Sequence, residues 1–295
     1  MSSKTAALQN LFGQKKRKSA NRSLWGTALI FTFLLLMGAF MILPFVYSIV
    51  NSFKPMDELF IFPPQFFVRR PTTLNYTLLF KLTANLWVPF SRYIFNSLFI
   101  SIFTTGVYVI LSSMAAYPLA KYKLKVAWLY KIVEGALLFN GTVLWLPQYV
   151  ISAKMGLINT YFAYIIPALA APLGLFLMKQ FMEQVPMAII ESAQADGAKQ
   201  VTVLFRIIMP MVKPAWLTLI VFCFQGIWNQ QPFNLVFNEE LKMINMAISQ
   251  IVSGGISRMG VSMASGVVVM IPPLIVFLVS QSSIIETMAH SGIKE

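Results

Sequence analysis

The sequence predicts an all-α integral membrane protein with six transmembrane helices. Three observations carry that class. Hydrophobic residues fill 57% of the 295 positions and charged residues only 11%, a balance too apolar for a soluble domain. Six apolar runs lie near the ~20 residues that a spanning helix needs. Lysine and arginine gather in short groups flanking those runs. A backbone inside lipid must satisfy its own hydrogen bonds, and none of the runs needs a strand period, so helices are the economical form.

In chain order, residues 1–24 form a basic amino-terminal segment carrying Lys4, Lys15, Lys16, Arg17, Lys18 and Arg22 and no acid. The first run, Trp25 to Val50, is too long for a cleaved signal sequence and no small-x-small site follows it, so it is expected to stay as a span. The loop 51–94 holds turn markers (Pro55, Pro63, Pro64, Pro71) among aromatics such as Phe60, Phe66 and Trp87. Those rings suit an interfacial belt or, alternatively, a docking surface for an external partner. The second and third runs, Phe95 to Leu119 and Trp128 to Val150, enclose Lys121, Lys123 and Lys125. The fourth, Tyr161 to Met178, precedes a basic segment with Lys179, Lys199, Arg206 and Lys213. The fifth, Ala215 to Trp228, is the shortest and is interrupted by Gln225 and Gly226. The loop 229–262 contains Leu241, Ile244, Ile248 and Ile251 at helical spacing, a helix expected on the membrane surface or on a partner subunit. The sixth run, Met263 to Ser280, closes a membrane domain spanning 25–290, and a tail of 291–295 follows.

Placing the basic groups in the cytoplasm gives one consistent weave, with both termini inside and the loops 51–94 and 229–262 outside. The net charge of +13 is then topology-setting, and no nucleic acid partner is expected. Cys223 is the only cysteine and His290 the only histidine, so neither a disulfide framework nor a metal cluster is expected. The sequence has no G-x-x-x-x-G-K-[ST], H-E-x-x-H or G-x-S-x-G, and the spans hold no cluster of acids, which argues against an enzyme. A secondary transporter would show a paired internal repeat with broken helices, and none is visible.

The most informative segment lies at about 183–213. Pro186 suits the first turn of a short helix, Met187 to Ala195 are good helix formers, and Ser192, Ala193 and Ala195 are small enough for another surface to approach. Asp196-Gly197 ends that helix, because glycine accepts the left-handed conformation. A second helix follows with Val201, Leu204, Phe205 and Ile208 on one face, and Pro210 and Pro214 then redirect the chain.

Glu191, Ala193, Asp196, Gly197, Ala198 and Pro210 stand at the spacing of the cytoplasmic Glu-Ala-Ala (EAA) loop of ABC importer permeases, which this segment resembles. Ser192 replaces the usual alanine, and Leu204 stands where an aromatic is often found, with Phe205 one place later. Trp228-Asn229, Pro272-Pro273 and the Ser291-Gly292-Ile293-Lys294 ending resemble the carbohydrate-uptake branch, of the maltose permease type. Glu286-Thr287 departs from a glycine often seen there.

The resemblance implies the type I importer permease fold and a transport subunit of the bacterial cytoplasmic (inner) membrane. It implies a second, homologous permease in a heterodimer, two ATPase subunits and an extracytoplasmic sugar-binding protein. ATP and Mg would be bound by the ATPases, with no cofactor on this chain. Residues 187–198 would be a coupling helix in an ATPase cleft. Glu191 would hold the loop by a hydrogen bond or ion pair, Ser192, Ala193, Ala195, Asp196 and Ala198 would lie at the contact, and Gly197 would make the corner. Ser291, Gly292 and Lys294 would be a secondary ATPase contact. The solute would be a neutral or acidic sugar or oligosaccharide moved by alternating access, with an amino acid or osmolyte as the alternative.

For the solute path, intramembrane polar groups are the candidates. Asn140, Gln148 and Asn229 are among them; Asn140 and Asn229 suit sugar hydroxyls, with helix-to-helix hydrogen bonds at least as good a reading. Lys131 and Glu134 share a helical face and are expected to neutralise each other.

Overall fold

The apolar runs fold mainly as helices, and prolines set most of the breaks. The computed structural model describes residues 24–84, 86, 88–122, 125, 128–139 and 141–291. Among these residues every regular element is helical, with no strand. The chain divides into two compact units, Met1–Ser48 and Ile49–Glu295. The described part of the first lies in one long helix, α1 (Leu24–Ser52), whose side chains are mostly exposed.

The second unit continues with α2 (Met56–Leu59) and α3 (Leu74–Ala84). Next come α4 (Phe90–Lys121), α5 (Trp128–Ala136), α6 (Gly141–Lys154), α7 (Phe162–Leu169) and α8 (Pro172–Glu183). Then follow α9 (Met187–Ala195), α10 (Gln200–Met211), α11 (Lys213–Trp228), α12 (Ile244–Val252) and α13 (Met259–Ser291). Four stretches are long and apolar enough to cross a membrane: Trp25–Ser52, Phe90–Lys121, Phe162–Glu183 and Ile256–Gln281. The pair α10 and α11, bent by 84° at Val212, passes the same test only when taken together. The expected third span is two helices: the turn 137–139 separates α5 from α6, and Asn140 lies outside the described residues. A hydropathy average cannot see that interruption.

α4 is the central post. Its buried face packs on α7, α8 and α11, with Tyr108, Tyr117, Met178, Met182, Leu219 and Ile208 in one apolar cluster. Closest approach is at Gly174, where an added Cβ would fall 2.6 Å from the Tyr108 ring carbon Cζ and closer still to the Ser112 hydroxyl. This glycine lies just after the break between α7 and α8. Ala171 is extended ahead of Pro172, as a residue before proline prefers. Tyr108 Oη donates to the Ala171 carbonyl at 2.9 Å and accepts from the Gly174 N–H at 2.6 Å. One phenol therefore satisfies two of the backbone groups that the break frees inside an apolar span.

The loop after α11 is fastened to the bundle. α12 does not lie on the membrane or wait for a partner: Ile244, Ala247 and Ile248 are buried against Tyr93, Phe224 and Trp228 of its own chain. The period read from the sequence is correct, and the surface it covers is internal. α3 packs through Leu79 onto Ile251 and Val261, so the first loop is also drawn onto this end.

Candidate functional site

The segment after α8 builds a small exposed corner. Pro186 has extended backbone and starts α9, and Ile190 is fully buried beneath it. At the other end Gly197 has φ +84°. The Gly197 N–H donates to Gln194 O at 3.0 Å and the Ala198 N–H to Ala193 O at 2.9 Å. That pair of bonds is a Schellman cap, which needs the left-handed residue that glycine supplies. Glu191, Ser192, Ala195, Asp196 and Gly197 are exposed on the result. Ala193 and Ala198 are half-buried and packed on the core of Val203, Leu204 and Ile208. The cap folds these two alanines inward, so the outward face is narrower than the spacing suggests. Glu191 makes no hydrogen bond or ion pair with any described residue.

What holds it comes from α4. Lys121 Nζ donates to Val185 O at 2.5 Å and to Glu183 O at 3.3 Å, placing a cation over the last carbonyls of α8. Gln194 Nε2 donates to Tyr122 Oη at 3.1 Å. Gln200 Oε1 accepts from Tyr117 Oη at 2.7 Å and from Tyr122 Oη at 3.0 Å. Sequence reasoning missed these residues: Lys121 registered only as topology-setting charge, and nothing local pairs tyrosines with glutamines some 80 positions away.

The next turn also departs from expectation. Residues Val203–Ile208 form a π-helix, and the buried set is Val203, Leu204, Ile208 and Val212. Val201 is 65% exposed and Phe205 38%, so neither belongs to the packed face. Pro210 lacks an N–H and its ring crowds the carbonyl four residues back, which favours the wider turn there.

At the opposite end of α4 a buried polar cluster ties down the loop 229–243. Asn96, fully buried, donates to Glu240 O at 2.8 Å and Lys242 O at 3.0 Å and accepts from Tyr161 Oη at 2.9 Å. Ser97 Oγ accepts the Ile244 N–H at 2.7 Å. Asn159, at φ 59°, accepts the N–H groups of Phe237 and Asn238. Glu239 pairs with Lys242 and accepts from Tyr93 at 3.1 Å and Gln250 at 3.4 Å. Burial alone would raise its pKa; the bonds from Lys242 and Tyr93 outweigh that and hold the carboxyl below its ordinary value.

The other sequence candidates are less organised. Gln148 and Asn229 are exposed and make no side-chain hydrogen bond with any described residue. Lys131 and Glu134 are both exposed and do not pair. α13 ends at Ser291, and Gly292 and Lys294 lie outside the described residues. Among the described residues no cluster of three or more His, Cys, Asp or Glu is placed to hold a metal.

No protein-family model matches the chain. It is 30% identical over 271 residues to the polygalacturonan/rhamnogalacturonan transport system permease protein YtcP of Bacillus subtilis (strain 168), covering 84% of this chain and 91% of YtcP. Over 288 residues it is 25% identical to the arabinooligosaccharides transport system permease protein AraQ of Halalkalibacterium halodurans, covering 95% of this chain and 99% of AraQ. Protein LplC of Bacillus subtilis is 36% identical over 199 residues, a match that spans 63% of LplC. A bacterial ABC transporter involved in the import of the acidic polysaccharide alginate shares the fold, with a TM-score of 0.73, 20% identity, and coverage of 90% of this chain and 99% of that one. The chain belongs to the ABC transport-system permeases of the sugar and oligosaccharide uptake type. It is a multi-pass membrane transport subunit.

Proposed function

We propose that this chain is one of two homologous permeases in a binding-protein-dependent importer of oligosaccharides, with uronate oligomers as the favoured class. The observation that carries the coupling role is the exposed corner at 191–197, capped at Gly197 and fastened to α4. Residues about 183–213 then form the cytoplasmic coupling loop of a six-span weave in which α5 and α6 together make the third, broken span. The termini (1–24 and 291–295) lie in the cytoplasm, the membrane domain covers 25–290, and loops 51–94 and 229–262 face outward.

Two ATPase subunits bind ATP and Mg, and one receives Glu191, Ser192, Ala195 and Asp196 in a cleft. Ala193 and Ala198 support that surface from beneath. Ser291, Gly292 and Lys294 form a second ATPase contact. ATP and an extracytoplasmic sugar-binding protein must each bind one conformation better than the other, since equal binding to both shifts nothing. Asn140, Gln148 and Asn229 are the candidates for sugar hydroxyls. The acidic preference is supported by the name of YtcP and by Arg69, Lys81 and Arg92, all exposed in the first outward loop.

The experiment is Gly197→Val. At φ +84° a β-branched residue is strained whatever the space around it. Expected is loss of oligogalacturonide uptake together with weaker co-purification of the ATPase. Normal uptake with intact association would refute the coupling assignment. Faster uptake of a neutral arabino-oligosaccharide than of oligogalacturonide by the wild-type importer would refute the acidic preference.

A further inference from the structure

Every side-chain hydrogen bond that leaves α9 or the start of α10 among the described residues ends on the last turn of α4 or on Tyr122 just beyond it. Gln194 reaches Tyr122, and Gln200 receives both Tyr117 and Tyr122. The two phenols stand edge to face, with ring centroids 5.9 Å apart and planes at 83°. Tyr117 is only 5% exposed, so its ring is fixed by packing and its oxygen cannot wander. Lys121, one position before Tyr122, grips the carbonyls at the turn into α9. The apolar contact below, through Ile190, Val203, Leu204 and Ile208, is non-directional and lets surfaces slide. Hydrogen bonds from rigid rings do not, because they weaken steeply with angle and distance.

The outward face of α9 shows the opposite pattern. Glu191 and Asp196 have no side-chain partner among the described residues, and Ser192 Oγ bonds only to Ile189 O of its own helix. A body free on one side and pinned on the other transmits force through its pins. The pins meet α4, the helix that packs on α7, α8 and α11.

We infer that Tyr117, Tyr122, Gln194 and Gln200 form the joint through which displacement of α9 is passed to α4, with Gln200 as its central positioning residue and Lys121 as a second fastening. This rests on the coupling role proposed above and adds which residues carry the motion into the membrane. A joint made of these bonds differs from mere loop stabilisation in one measurable respect. Breaking it should leave the subunits assembled and ATP hydrolysed while uncoupling hydrolysis from transport.

The test uses the whole importer in proteoliposomes, with oligogalacturonide as transported probe. Gln200→Leu keeps the size and removes the shared acceptor; Gln200→Glu keeps an acceptor for both phenols. Gln200→Leu is expected to retain ATPase association, thermal stability and ATP turnover within about twofold. Solute moved per ATP should fall at least about fivefold, the scale of the two directional bonds lost, one from each phenol. Gln200→Glu should restore most of that ratio, and Tyr117→Phe combined with Gln200→Leu should be little worse than Gln200→Leu alone, because the short bond of the Tyr117 hydroxyl ends on Gln200. An unchanged ratio in Gln200→Leu overturns the joint. So does a proportional fall of hydrolysis, transport and stability, which marks a structural role. Failure of the wild-type chain to retain ATPase subunits would instead refute the coupling role, and the joint with it.

Discussion

Replacing Gly174 with alanine tests the packing on which the bundle depends. An added Cβ would sit 2.6 Å from Tyr108 Cζ and 2.7 Å from Tyr108 Oη. Ordinary carbon contacts lie at about 3.5–4.0 Å, so ring or helix must move by roughly 1 Å. Tyr108 has no spare freedom, because its hydroxyl is bonded to Ala171 O at 2.9 Å and the Gly174 N–H at 2.6 Å. Overpacking costs about 1–3 kcal/mol. The two strained hydrogen bonds add about 0.5–1.5 kcal/mol each. The sum is about 2–6 kcal/mol, enough to lower the melting temperature of the detergent-solubilised protein by roughly 5 °C or more. Tyr108→Phe removes the bonds without the collision and should show the smaller part of that loss. Pairing Gly174→Ala with Tyr108→Ala should be less damaging than the sum of the single changes, since the collision with the ring is then relieved and only that with the Ser112 hydroxyl remains. A Gly174→Ala protein as stable as wild type would refute the close approach of α4 and α8.

Two further outcomes are expected at the other end of α4. Asn96→Ala strands two carbonyls and a phenol, each costing about 1–3 kcal/mol when buried. Trypsin should then cut at Lys242, buried in the wild type, at least about tenfold faster, because local opening exposes it. Glu239 has a lowered carboxyl pKa in the folded state. Its stabilisation is therefore complete above the unfolded value of about 4.3 and is lost as pH falls through the lower folded value. Glu239→Gln should flatten that acid limb of the melting-temperature profile while leaving the Tyr93 and Gln250 contacts sterically possible; an unchanged acid limb would show that Glu239 does not carry it.

The long spans were legible because twenty apolar residues leave few alternatives, and so was the glycine corner, since Asp196-Gly197 after a helix-forming run encodes its own cap. Breaks inside apolar segments were not legible. The one before Pro172 starts from the proline, but it is tolerated in an apolar span through Tyr108, more than 60 positions earlier, and hydropathy is blind to which distant phenol satisfies a freed carbonyl. The π-turn at Val203–Ile208 moved the buried face because a 3.6-residue period was assumed where Pro210 imposes a wider one. Exposed alanines were over-counted for a related reason: small residues suit a docking surface and a tight inward packing equally well. The hydrogen bonds of Gln200 and Asn96 were invisible because amide side chains say nothing of their partners until the helices are in place.

The kink at Val212 has a geometric consequence. With the axes of α10 and α11 at 84°, thrust delivered along one has almost no projection on the other. If α9 passes its thrust to α10 as proposed, the pair would act as a bell crank and tip α11 rather than drive it along its own axis.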